Sequence, residues 1–206
     1  MIKKPEFNRD DVEVVRREEL YKRFFRVEKI VLRHKLFKGG WSKEMSRELF
    51  VRGDAVAVVV YDPTHDLIGM IEQFRVGAMG EEAGPWCYEV VAGMVEAGET
   101  AEEVARRELL EEASLEPFHM EYICNFLSSP GGSDEKLHLF CALCDLSQAG
   151  GIHGLPDENE DIRLHSFAAD EVFAELLSGR FNNAAALICL QWLQMNRARL
   201  RKDHGV

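Results

Sequence analysis

Hydrophobic positions along this chain fall into short runs of strand period, broken by two longer stretches in which apolar residues recur at helical spacing. After Asp54 comes AVAVVVY, a continuous run of small and β-branched residues suited to a strand buried on both faces. DPTHD follows as a turn, and LIGMIEQFRV reads as the hairpin partner. WCYEVVAGMVE is a further strand. GETAEEVARRELLEEASL then changes period, and Thr100 with Glu103 three residues on forms a capping box that predicts a helix start. YICNFLSS, KLHLFCALC and DIRLHSF return to strand character. The chain closes with helix-like AADEVFAELLSG and NNAAALICLQWLQMNRARL, in which Asn182 or Asn183 is the candidate cap and Leu187, Leu190 and Leu193 mark a buried face.

Residues 1–50 stand apart. They carry short alternating runs, such as residues 24–32, and are richer in Lys and Arg than the remainder. Strands and helices mix without a regular βαβ alternation, so the expected fold class is α+β: an α/β/α sandwich on a mixed sheet, with a small, mainly β N-terminal element at 1–50 and the main domain at 51–206.

Composition narrows the partners. With 206 residues and 46% hydrophobic content the chain can bury one substantial core. Its 25 Lys and Arg against 36 Asp and Glu leave a net charge of −11, which repels nucleic acid and anionic membranes. A polyanionic small substrate must therefore be neutralised locally, by a few basic side chains or by cations held on the surplus carboxylates. No apolar stretch follows the N-terminal charges and no run of about eighteen apolar residues occurs, so neither secretion nor membrane spanning is expected. Five scattered cysteines fit a reduced, cytoplasmic protein. Cys141 and Cys144 form a CxxC, but in a strand they point to opposite faces and read as buried thiols.

The segment GMVEAGETAEEVARRELLEEASL carries the chemistry. At about 100° per residue, Glu108 and Glu112 lie about 40° apart, between Val104 and Ala105 on the face that should meet protein. Two acids there require an explanation, although an ordinary charged helix with pairs to Arg106 and Arg107 is the plain alternative. Gly93, Glu99, Arg107, Glu108, Leu109, Glu111, Glu112 and Leu115 match in type and spacing the fixed positions of the Nudix box, which the segment resembles. Only Ser114 departs, standing where that pattern has glycine. The resemblance implies Mg²⁺, with Mn²⁺ the alternative, in two or more ions per site on Glu108, Glu112 and the Ala92 carbonyl. Glu111 is implied as a supporting catalytic acid and Arg107 as a residue that orients the carboxylates.

Pro130, sixteen positions after Ser114 in FLSSPGG, resembles the marker of ADP-ribose pyrophosphatases, and similarity to the bacterial members runs through ELYKRFF, MSRELF, IEQFRV, VAGM and GIHGLPDENEDIR. Phe24 and Phe25 are then expected beside adenine, Arg47, Glu48, Arg52 and Arg75 on the nucleotide, and Met94, Ser129, Pro130, Gly131 and Glu135 along the rest of the substrate. By composition the acidic stretch GIHGLPDENED is a solvated loop. The resemblance makes it a mobile loop carrying the catalytic base Glu158 and, near a metal, Glu160. It also implies a homodimer that exchanges the N-terminal element. Two rivals remain: hydrolysis of another nucleoside diphosphate sugar such as GDP-mannose, and a non-catalytic sensor of the same fold that binds ADP-ribose.

Overall fold

The computed structural model describes residues 2–206, apart from the side chain of Glu158. The chain divides into two compact units. One runs to Gly53 and takes in Leu127–Glu135; the other comprises Asp54–Phe126 and Lys136–Val206.

The first unit is built on a three-stranded antiparallel sheet, β1 (Val12–Lys22), β2 (Arg26–His34) and β3 (Met45–Val51), in that order. All eleven residues of β1 are exposed, Val12, Val14, Val15, Leu20 and Tyr21 among them. The 127–135 segment joins this unit where Phe50 bridges to Ser133 and its N–H donates to the Gly132 carbonyl at 2.8 Å.

In the second unit the predicted buried run is β4 (Asp54–Asp62), flanked by β5 (Leu67–Phe74) on one side and in parallel by β9 (Lys136–Leu143) on the other. The order β10 (Gly151–His153), β11 (Ile162–Ala168), β5, β4, β9, β8 (His119–Leu127) makes a mixed sheet. WCYEVVAGMVE is two strands, not one. The chain switches partner at Val90, so that β6 (Trp86–Glu89) pairs with β5 and β7 (Val91–Met94) pairs with β4.

Because side chains alternate along a strand, β4 feeds two cores. Val56, Val58 and Val60 face α1 (Ala101–Ala113) through Val104, Ala105 and Leu109. Ala57, Val59 and Tyr61 face α2 (Ala169–Ala174) and α3 (Ala184–Asp203) through Val172, Cys189, Leu190 and Leu193. This is the α/β/α sandwich. The same alternation sends Cys141 into one core and Cys144 into the other, and all five cysteines are free. Asn183, not Asn182, caps α3, accepting from the Ala186 N–H at 2.9 Å. Leu187 is only half-buried, because Ala186 and Cys189 take the inner face beside Leu190 and Leu193. Among the described residues no helix is long and apolar enough to cross a membrane.

Candidate active site

Helix α1 begins where the capping box predicts. The Thr100 N–H donates to Glu103 at 2.8 Å, and the Glu103 N–H returns to the Thr100 hydroxyl at 3.3 Å. Its inner face buries Val104, Ala105, Leu109 and Ala113, and Glu112 lies among them at 3% exposure. That face packs against β7, whose Ala92 N–H donates to Glu112 Oε2 at 2.9 Å. Burial, together with the charges of Glu108 and Glu160, pushes the Glu112 carboxyl up to about 8, against the lowering effect of the Ala92 bond and of Arg75. Glu108 is raised to about 7, again chiefly by burial, with Arg107 opposing and Glu111 and Glu160 reinforcing.

Gly93 makes room for this arrangement. A Cβ at that position would lie 1.8 Å from Glu108 Oε1 and 2.2 Å from its Cδ, so only glycine lets the Glu108 carboxylate lie against β7. Arg107 holds the group from the other side: its guanidinium reaches Glu108 at 2.8 Å, Glu111 at 3.1 Å and Glu99 at 3.3 Å. Glu99, Arg107, Glu108 and Glu111 are thus one hydrogen-bonded set, and the guanidinium is fully engaged by carboxylates.

Glu108, Glu112 and Glu160 repel one another in a partly dry setting, the arrangement that a hard cation with oxygen ligands relieves. The donor set therefore fits a divalent cation. Among the described residues the three potential ligand groups drawn within 4.8 Å of one another are Asp62, His65 and Asp145, well away in sequence from α1. Asp62 is already saturated there: it accepts from the backbone N–H of Thr64, His65 and Leu146 and meets the His65 ring. It is a turn-forming carboxylate.

Arg75, immediately after β5, is bound through Nη2 and Nε to Glu89 at 2.7 and 3.0 Å. Arg75 and Glu89 line a cavity of about 320 Å³ with Glu81 and Asn183. Glu89 was not foreseen from sequence. Met94 ends β7 at 40% exposure. Glu160 closes the loop after β10, accepting from the Leu155 N–H at 3.3 Å. The expected base, Glu158, has a side chain outside the described residues.

The first unit gathers a second group. Phe25 packs edge-on against Phe24 at 4.8 Å and Phe50 at 5.0 Å, and the Arg52 guanidinium lies 5.0 Å over the Phe25 ring. Arg52 also pairs with Glu135 at 3.0 Å. Ser129, Pro130 and Gly131 form a turn closed by the Gly132 and Ser133 N–H groups on the Ser129 carbonyl, next to the segment that Phe50 bridges. Phe24 is 91% exposed, an aromatic face available for stacking. Arg47 and Glu48 are consecutive in β3 and project to opposite faces of the sheet, so one face does not present both. Phe50 completes the aromatic group and was missed because a lone Phe at a strand end reads as core.

The sequence profile of the NUDIX domain matches residues 51–187. The chain is 43% identical over 197 residues to the ADP-ribose pyrophosphatase of Escherichia coli (strain K12), spanning 96% of this chain and 94% of that protein. It is 42% identical over 200 residues to the ADP-ribose pyrophosphatase of Haemophilus influenzae, spanning 96% and 92%. Among solved structures it is similar to one described as an ADP compounds hydrolase, with a TM-score of 0.67 and 20% identity over 90% of this chain and 96% of that one, a likeness of fold.

Proposed function

The chain belongs to the Nudix family, and from that premise we propose that it hydrolyses the pyrophosphate of ADP-ribose to AMP and ribose 5-phosphate, using Mg²⁺. The observation that carries the reaction is the pair Glu108 and Glu112, packed on β7 and lifted in pKa with Glu160 close enough to repel both. The substrate follows from near full-length similarity to two enzymes named for it. An intact carboxylate set argues against a silent sensor.

In this reading Glu108, Glu112, Glu160 and the Ala92 carbonyl would hold the cations, with Mn²⁺ able to substitute for Mg²⁺. When bound, the cations would neutralise the pyrophosphate and lower the pKa of a bound water so that it can give up its proton. The residues of the chain do the rest. Arg107 keeps Glu108 and Glu111 aligned, so their carboxylates need not reorganise when substrate arrives. Glu158 takes the proton of the attacking water. A new P–O bond forms at one phosphorus while its bond to the bridging oxygen breaks. A base on a loop is effective only when the loop is closed on substrate, which protects against idle water activation.

Phe24 and Phe25 stack on adenine, while Arg47, Glu48, Arg52 and Arg75 engage the nucleotide. Met94, Ser129, Pro130, Gly131 and Glu135 contact the remainder. The N-terminal element, residues 1–50, exchanges between two copies in a homodimer; Val12, Val14, Val15, Leu20 and Tyr21, exposed on β1, supply apolar surface for a second chain. Incubation with ADP-ribose and Mg²⁺, with products separated by ion-exchange chromatography, should yield AMP and ribose 5-phosphate in equal amounts, and none with excess chelator. ADP-ribose recovered intact would refute the proposal.

A further inference from the structure

Ser114, the one position where this chain departs from the box, sits at the C-terminal cap of α1 with φ 51° and ψ 39°, left-handed backbone that glycine adopts without strain. The serine brings a hydroxyl in exchange. Its Oγ lies 3.1 Å from His153 Nδ1, and His153 Nε2 lies 3.0 Å from the Gly150 carbonyl. A carbonyl only accepts, so in the neutral imidazole Nε2 carries the proton, Nδ1 accepts, and the Ser114 hydroxyl donates to it.

His153 ends β10, at the root of the acidic loop. The next residue, Gly154, donates its N–H to the Glu111 carbonyl at 3.2 Å. Gly154 has φ +97°, and a Cβ there would lie 2.8 Å from the Glu160 Cβ, so the loop's return strand packs directly on it. The Glu160 N–H donates to the Leu155 carbonyl at 3.2 Å, and the Leu155 N–H to the Glu160 carboxylate, closing the loop on its own root. Two bonds therefore tie that root to the end of α1: Gly154 to Glu111 within the backbone, and His153 to Ser114 through side chains.

We infer that Ser114 and His153 are positioning residues, a hydrogen-bonded relay from α1 to Gly150 that sets the register of the acidic loop against the carboxylate helix. This rests on the hydrolase reading for its catalytic consequence but not for its structural one. Glu111 lies on the helix and Glu160 on the loop, and Glu160 already presses electrostatically on Glu108 and Glu112. With one of its two ties to α1 gone, the loop root can shift against the helix, and each excursion takes Glu160 and the loop away from the helix acids.

The test sets stability against turnover. Ser114→Gly relieves the left-handed backbone and deletes the hydroxyl, so its melting temperature should equal or exceed wild type. Its kcat should nevertheless fall about three- to tenfold, the worth of one hydrogen bond, with KM for ADP-ribose changed less than about twofold. His153→Ala should match it, and the double variant should be no worse than either. Ser114→Asn, tolerant of the left-handed region and able to donate an amide N–H, should recover most of the loss. Independently of activity, amide hydrogen exchange at Gly154 and Glu160 in metal-free protein should quicken in Ser114→Gly and recover in Ser114→Asn. Unchanged exchange in Ser114→Gly overturns the inference even if wild type fails to hydrolyse ADP-ribose, and additive losses in the double variant overturn it also.

Discussion

Gly93→Ala is a one-carbon change with a calculable consequence. The added Cβ would meet Glu108 Oε1 at 1.8 Å, Cδ at 2.2 Å and Cγ at 2.6 Å. Non-bonded heavy atoms settle at about 3.5 Å, so the carboxylate must retreat by roughly 1.5 Å. The strand cannot yield instead, because β7 is paired with β4 from Ala55 to Val58 and Ala92 is tied to Glu112. A flexible glutamate gives way more cheaply than a paired strand, and alanine is favoured over glycine in a strand by about 0.5–1 kcal/mol, which offsets part of the strain. The fold should therefore survive, with a melting temperature within a few degrees of wild type by circular dichroism. Turnover should not survive: a displacement of about 1 Å at a reacting group costs on the order of a hundredfold. The kcat of Gly93→Ala on ADP-ribose should fall by about that factor and match Glu108→Gln, with no further loss in the double variant because both act through one carboxylate. Wild-type turnover in Gly93→Ala, or multiplicative losses in the double variant, would show that Gly93 does not act through the Glu108 carboxylate.

Glu112→Gln and Glu158→Gln should each lower kcat about a hundredfold, but only Glu112→Gln should also abolish the rise in melting temperature that Mg²⁺ produces in wild type; equal Mg²⁺ responses would detach the cation from α1. Burial alone would raise the Asp62 carboxyl, yet the Leu146 and His65 N–H groups outweigh it and hold it below its usual value, so its contribution is present above about pH 4 and lost as pH falls through the lowered pKa. Asp62→Asn should thus cost about 1–3 kcal/mol in urea melts at pH 7 and less at pH 3, and an equal cost at both would contradict this. Joint refolding of Arg47→Ala with Glu112→Gln should restore about a quarter of wild-type activity if two chains share each site, and none if every chain completes its own.

Local signals were legible in the sequence because local physics sets them. Thr100 and Glu103 start α1, the β-branched run makes β4, and the wheel places Glu112 on the face that meets protein. Features that depend on partners far along the chain were not legible. Nothing in WCYEVVAGMVE announces that Val90 is where the strand leaves β5 for β4. The union of residues 127–135 with the first unit rests on Phe50 and Ser133, more than eighty positions apart. Glu89 with Arg75, and Ser114 with His153, are pairings of the same kind. Gly93 is intermediate: its place in the box could be read, but the reason for it, the Glu108 carboxylate lying where a Cβ would be, needs three dimensions.

The most direct test is kcat/KM measured with Mg²⁺ for ADP-ribose, GDP-mannose, NADH and a diadenosine polyphosphate, scored by phosphatase-coupled phosphate release. ADP-ribose should give the highest value, and a clear preference for any of the other three would overturn its assignment as substrate.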